Sequence, residues 1–224
     1  MILIVFDLDG TLIDSRRDLT DSANEMLADY GAPPIGEEAI GRMIGSGAGE
    51  LVRRALAASG VNVALEEALP RFREMYDRRL LENTRPYDGI PELLEALRER
   101  KVPLALLTNK PLQPSLRILD AFHLTEYFPF RLGGDGPWPR KPAPEGIRHL
   151  MASARAGATE TLLVGDSIID VRTAQNAGVR MCLARYGFGF LDVPAAELTG
   201  DEWMVDAPSD IAAIMNSLST GSGG

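Results

Sequence analysis

Four short apolar runs stand out along the chain, Ile2 to Phe6, Val102 to Leu107, Thr161 to Val164 and Val179 to Leu183, because each is continuous rather than alternating. Continuous runs of this length, rich in Ile, Val and Leu, are the pattern of strands covered on both faces, as in a parallel sheet. Trp203 to Val205 makes a weaker fifth. Between the runs the apolar spacing turns helical: Pro91 opens a segment carrying Leu93, Leu94 and Leu97, and Ser209 is placed to cap one carrying Ile211, Ile214, Met215 and Leu218. Strands alternating with helices predict an α/β fold, a doubly wound parallel sheet.

The stretch from Ser15 to Glu82 breaks the alternation. Leu19, Ala23, Met26, Leu27 and Tyr30 form one helical stripe that stops at Gly31, and Leu51, Leu56, Leu65, Leu69, Phe72, Met75 and Tyr76 continue the pattern in later segments. This predicts an inserted all-helical cap domain at 15–82, leaving an α/β core of 1–14 and 83–224. Return to the core runs through Asn83 to Gly89, where Pro86 and Gly89 are turn formers suited to a hinge. Ser219 to Gly224 reads as a loose tail.

Composition narrows the function classes. Of 224 residues, 45% are hydrophobic and 25% charged, as in soluble globular proteins. A net charge of -9 disfavours a nucleic-acid partner that depends on phosphate neutralisation. The single Cys182 can form neither an internal disulfide nor a thiol metal cluster, which suits a reducing cytoplasm. Met1 to Phe6 is too short for a signal core or a membrane span and is ended by Asp7 and Asp9.

The candidate chemistry sits where the strands run out, the usual ligand-binding edge of an α/β sheet. Asp7-Leu8-Asp9-Gly10-Thr11 follows the first run; in an extended chain Asp7 and Asp9 would share a side, and Gly10 would let the backbone turn. Two like charges so close call for a compensating cation or proton, although a solvated acidic turn has the same letters. Gly165-Asp166-Ser167 ends the third run, with Asp170 spaced to return to the same end; three carboxylates favour a hard cation such as Mg2+, while Asp166 and Ser167 also suit a helix cap. Thr108-Asn109-Lys110 ends the second run and offers donors for phosphate oxygens, or an ordinary turn. Lys141, held extended before Pro142, could balance negative charge or stand on the surface.

Asp7-Leu8-Asp9-Gly10-Thr11, Thr108-Asn109, Lys141-Pro142 and Gly165-Asp166-Ser167 through Asp170, in this order, resemble the four motifs of the haloacid dehalogenase superfamily. A helical cap directly after the first motif, Gly45-Ser46-Gly47-Ala48-Gly49 within it and Gly133-Gly134-Asp135 before Lys141 are similar to the phosphoglycolate phosphatase branch. The resemblance implies a cytoplasmic Mg2+-dependent phosphatase acting on a small phosphorylated metabolite, 2-phosphoglycolate. Within it, Asp7 would be the nucleophile, Asp9 the acid and base, and Lys141 the charge balance. Thr108 and Asn109 would hold phosphoryl oxygens. Asp7, Asp166 and the Asp9 carbonyl would hold the metal, with Asp170 and Ser167 behind them. The dehalogenase members lack the second acid of the first motif, so Asp9 argues for phosphoryl transfer.

Other superfamily activities, a sugar-phosphate phosphatase or mutase or an inorganic pyrophosphatase, would keep every one of these motifs, and a receiver-like signalling domain is the non-enzyme rival. The rival has no use for the cap. Arg17, Arg42 and Lys110 are candidates for a substrate carboxylate, and Gly45 and Ser46 for a cap loop over the site. His123 and His149 lack ligand-spaced companions, and Trp138 and Trp203 read as packing residues.

Overall fold

The computed structural model of the chain describes residues 2–220, with side chains described up to 214. Its main sheet has six parallel strands: β1 (Leu3–Phe6), β4 (Leu104–Leu107), β5 (Phe130–Leu132), β6 (Thr161–Gly165), β7 (Arg180–Ala184) and β8 (Trp203–Val205). A second, two-stranded ribbon pairs β2 (Ile13–Asp14) with β3 (Arg85–Pro86). The main order is β5-β4-β1-β6-β7-β8, so β1 is flanked by β4 and β6 and every residue of β1 is buried. Alternation then sorts its side chains between two layers. Ile4 and Phe6 join the apolar cluster of α5 (Ile90–Glu99), α6 (Leu112–Ala121) and α9 (Pro208–Thr220); Leu3 and Val5 join that of α7 (Glu145–Ala154) and α8 (Ile168–Ala177). Helices on both faces explain why the strands are continuous apolar runs.

Between β2 and β3 lie α1 (Arg16–Asp29), α2 (Glu37–Gly41), α3 (Ala48–Ser59) and α4 (Leu65–Arg79), the helical cap. Leu19, Ala23, Met26 and Leu27 of α1 are buried with Phe72, Met75 and Tyr76 of α4, in a cluster that continues into the α5, α6 and α9 layer. Burying one such side chain contributes roughly 1.5–3 kcal/mol. The chain crosses between core and cap on the β2–β3 ribbon, and Asp18 fastens that crossing. Its buried carboxylate accepts bonds from the Asn83 and Thr84 main-chain N–H groups, from Asn83 Nδ2 and from Thr84 Oγ1, all at 2.8–3.0 Å.

Several expectations are corrected. Pro86 does not turn the chain: it pairs with Ile13 in the ribbon, where its missing N–H costs nothing on an edge. Ser209 is not a cap, since α9 already starts at Pro208, and Asp210 Oδ2 instead accepts the N–H groups of Asp206 and Ala207. Ser219 and Thr220 still belong to α9, while the rest of the expected tail lies outside the described residues. Trp138 is 40% exposed, with its ring 5.3 Å from that of His149. No described helix is long and apolar enough to cross a membrane.

Candidate active site

After β1 the chain does not stay extended. The Leu8 carbonyl accepts the N–H groups of Thr11, Leu12 and Ile13, so the backbone curls and sends the carboxylates of Asp7 and Asp9 to different partners. Gly10 makes the curl possible: its φ is +88°, and a Cβ there would lie 2.1 Å from Asp166 Oδ2. The expected acidic pair is thus two separate acid–lysine pairs. Asp7 meets Lys141, whose Nζ lies 2.8 Å from Asp7 Oδ1 as an ion pair without hydrogen-bond geometry, and Asp9 meets Lys110, whose Nζ donates to both its oxygens at 2.8 and 3.0 Å.

The Asp7 pair belongs to a buried cluster. Because β6 runs beside β1, Asp166 at its end stands next to Asp7, and Asp170, one turn into α8, reaches the same place. Lys141 Nζ donates to Asp170 Oδ1 at 2.6 Å, while Asp170 Oδ2 accepts from the N–H and Oγ of Ser167, the N-cap of α8. Both Asp170 oxygens are therefore occupied. Asp166 accepts from Thr11 Oγ1 at 3.3 Å and from the Gly189 N–H at 2.7 Å. Burial, opposed by Lys141 and reinforced by Asp170, raises the Asp7 carboxyl to about 7, and burial with the charges of Asp170 and Asp7 holds Asp166 well above the ordinary range. Burial would lower Lys141, but the two carboxylates raise it on balance.

Three carboxylates, Asp7, Asp166 and Asp170, lie with their oxygens within 4.8 Å of one another against one ammonium, Lys141, so that full ionisation would leave two negative charges in a buried space, and the raised Asp7 and Asp166 express that excess. An all-oxygen donor set of that charge suits a hard divalent ion. Asp7 Oδ1 is buried and has the Lys141 ammonium, 2.8 Å away, as its one charged partner.

Thr108 and Asn109 follow β4 on the other side of β1. Thr108 Oγ1 accepts the Lys110 N–H at 3.2 Å, which leaves its own proton free to donate. Asn109 Nδ2 donates to the carbonyls of Gly45 and Lys141 at 2.9 and 3.0 Å, so this amide ties the cap loop to the core and is not free for a phosphoryl oxygen. The cleft between cap and core is about 550 Å3, and its lining includes Asp7, Asp9, Thr108, Asn109, Lys110 and Gly45. Arg42 and Ser46 do not line it: Arg42 pairs with Glu38 and Asp192 on the outside. Arg17 pairs with Asp21 and Glu37.

Further contributors have no site role in the sequence reading. Ser15 Oγ donates to Asp9 Oδ1 at 2.6 Å, and Lys110 Nζ sits 4.6 Å from the centre of the Tyr76 ring of α4. The Tyr186–Gly189 turn after β7 supports the metal-like cluster, through the Gly189 bond to Asp166 and the Tyr186 hydroxyl bond to the Thr11 carbonyl. Arg73 and Arg140 line the cleft. The Gly187/Gly189 spacing was the available signal for the turn; a Cβ at Gly187 would lie 2.2 Å from the Gly10 carbonyl.

Comparison with known proteins agrees with this geometry. The family profile described as haloacid dehalogenase-like hydrolase matches residues 4–184. The chain is 42% identical over 192 residues to phosphoglycolate phosphatase 1 of Pseudomonas aeruginosa, covering 83% of this chain and 70% of that one. It is 40% identical over 192 residues to the phosphoglycolate phosphatase of Rhodospirillum rubrum, covering 83% and 80%. Among solved structures, a predicted phosphoglycolate phosphatase from Haemophilus somnus superposes with a TM-score of 0.89 at 32% identity, over 95% of this chain and 97% of that one.

Proposed function

The chain belongs to the haloacid dehalogenase-like hydrolases and is a phosphatase, and we propose that it hydrolyses 2-phosphoglycolate through a phosphorylated Asp7, with Mg2+ as its cation. The observation that carries this reading is the setting of Asp7: the end of the central strand, buried, with the Lys141 ammonium 2.8 Å from one oxygen and the carboxylates of Asp166 and Asp170 beside it. The names of the two bacterial relatives support the substrate. Residues 15–82 would serve as the cover of the site.

In this account an Asp7 oxygen attacks phosphorus and the ester P–O bond breaks, with Asp9 giving its proton to the leaving alkoxide. Water then attacks the phosphoryl group on Asp7, gives a proton to Asp9, and inorganic phosphate leaves. Lys110 Nζ and Ser15 Oγ donate to the Asp9 carboxyl group and hold it in place at the cleft for both proton transfers. The Thr108 hydroxyl and the main-chain N–H of Asn109 would hold phosphoryl oxygens, and Lys141 would keep Asp7 and Asp170 apart in charge. Asp7, Asp166 and the Asp9 carbonyl would hold Mg2+, which when bound supplies positive charge against the phosphoryl oxygens.

A hydrolysis panel of 2-phosphoglycolate, hexose phosphates and pyrophosphate, run with Mg2+, with Ca2+ and with chelator, tests the reading. The expected result is preference for 2-phosphoglycolate, dependence on Mg2+ and inhibition by Ca2+, which takes more oxygen ligands at longer distances. Full activity in chelator would remove the metal, and preference for a hexose phosphate or pyrophosphate would remove the substrate.

A further inference from the structure

A substrate such as 2-phosphoglycolate carries a second anion beyond its phosphoryl group, and the cleft must meet it with a cation that is not already engaged. Lys141 is taken by Asp7 and Asp170, and Lys110 by both oxygens of Asp9. Among the described residues that line the cleft, Arg73 and Arg140 remain without a carboxylate partner. The two differ in how they are held. Arg73 projects from the exposed face of α4, has no hydrogen bond among the described residues and stands among the cleft acids Glu74 and Asp77.

Arg140 is fixed. Its Nε donates to the Gly134 carbonyl at 2.7 Å, and the Gly134 N–H donates to the Lys110 carbonyl at 2.8 Å, so the guanidinium is held at a set offset from Thr108, Asn109 and Lys110. It also directly precedes Lys141, whose Nζ touches Asp7. Asp135, of the same loop and also in the cleft lining, accepts the Leu112 N–H through Oδ1 and makes no ion pair with Arg140. The Nη edge has no acceptor among the described residues and faces the cap loop: Gly47 has φ +90°, and a Cβ there would lie 3.1 Å from Arg140 Nη1 and 3.3 Å from the Asn109 carbonyl. Glycine lets the loop lie against the guanidinium, as a lid over anything bound to it.

Resting on the proposed substrate, we infer that Arg140 receives its carboxylate through the free Nη edge and so sets the choice of carboxylated phosphomonoesters, with the Gly45–Gly49 loop closing over the contact. A planar guanidinium fixed through Nε presents its remaining N–H groups to a carboxylate as a directed pair.

The test measures kcat and KM on 2-phosphoglycolate and on its neutral amide, 2-phosphoglycolamide, for the wild type, Arg140→Gln, Arg140→Lys and Arg73→Gln. Losing a charge-assisted contact predicts that Arg140→Gln lowers the acid-over-amide ratio of kcat/KM by about 10- to 100-fold, mostly through KM, and that Arg140→Lys recovers part of it. Continued turnover of the amide by Arg140→Gln keeps a folding failure from being mistaken for the effect. A wild-type ratio in Arg140→Gln, or a collapse of the ratio in Arg73→Gln alone, overturns the inference while leaving the phosphoglycolate reading intact. A wild type that does not prefer the acid to the amide overturns both.

Discussion

The two walls of the cleft are built on opposite rules. The core wall concentrates charge out of water: Asp7, Asp166, Asp170 and Lys141 are all buried, each oxygen described above has a chemical reason to be there, and glycines let backbone lie directly on the carboxylates. The cap wall is mostly apolar, with Leu19, Ile44, Leu51 and Phe72 facing the cleft beside the charged Arg73, Glu74 and Asp77, and its other ion pairs lie outside, where Glu25 meets Arg78 and Arg79 and Glu50 meets Arg53 and Arg54. The same kinds of side chain therefore do different work. An exposed pair contributes about 0–1 kcal/mol and is screened by salt, whereas a buried cluster costs stability and is kept for what it can do to a substrate. In the proposed account chemistry belongs to the core, and the cap covers it and shapes the cleft.

The sharpest way to break that contrast is at Asp9, the core acid that is also tied to the first turn of the cap through Ser15. Asp9→Asn should lose roughly 10²- to 10⁴-fold in turnover, the usual range for an acid/base group, with a smaller loss for aryl phosphates whose leaving groups need no proton. Rapid-quench rates for phosphorylation and dephosphorylation on an alkyl and an aryl phosphate check it. Equal, minor losses in both steps would mean that the core wall does not supply the proton.

A second change acts where the walls join. Asp18→Ala removes the acceptor for four donor groups of Asn83 and Thr84 and leaves the Thr84 main-chain N–H and hydroxyl buried without that partner. At about 1–3 kcal/mol per unsatisfied group, and with some water entering, a net destabilisation of about 3 kcal/mol is expected, a fall in Tm of roughly 6–12 °C by calorimetry. An unchanged Tm would show that the crossing does not depend on this carboxylate. Glu25→Gln, on the outer face of the cap, should change stability by less than about 1 kcal/mol, and that small effect should shrink further in high salt during denaturant unfolding. A larger loss would make the cap's surface pairs structural and blur the contrast.

What could be read in advance follows the same division. The core strands were legible because burial on both faces leaves uninterrupted apolar runs, and the site's acids were legible because they stand at the ends of those runs. β5 was not, since Phe130-Arg131-Leu132 is a short edge strand with only partly buried residues and a charge in its middle. Neither was the β2–β3 ribbon, whose two-residue strands carry no periodicity. Asp18 looks like any solvated acid on an amphipathic helix until its partners, more than sixty positions away, are in place. The support of Asp166 by Gly189 uses a backbone N–H, which has no side-chain signature, and Arg140 is hidden in the letters beside Lys141.

The central claim is that Asp7 carries the phosphoryl group, and trapping that species tests it most directly. With radiolabelled 2-phosphoglycolate and Mg2+, acid quench within one turnover should leave label covalently bound to the protein, and borohydride reduction followed by peptide sequencing should find homoserine at position 7. Asp7→Asn should be folded, hold no label and lose turnover by roughly 10⁴-fold or more, as when a nucleophile is removed. Label at another residue, or turnover by Asp7→Asn near the wild-type rate, would contradict the account.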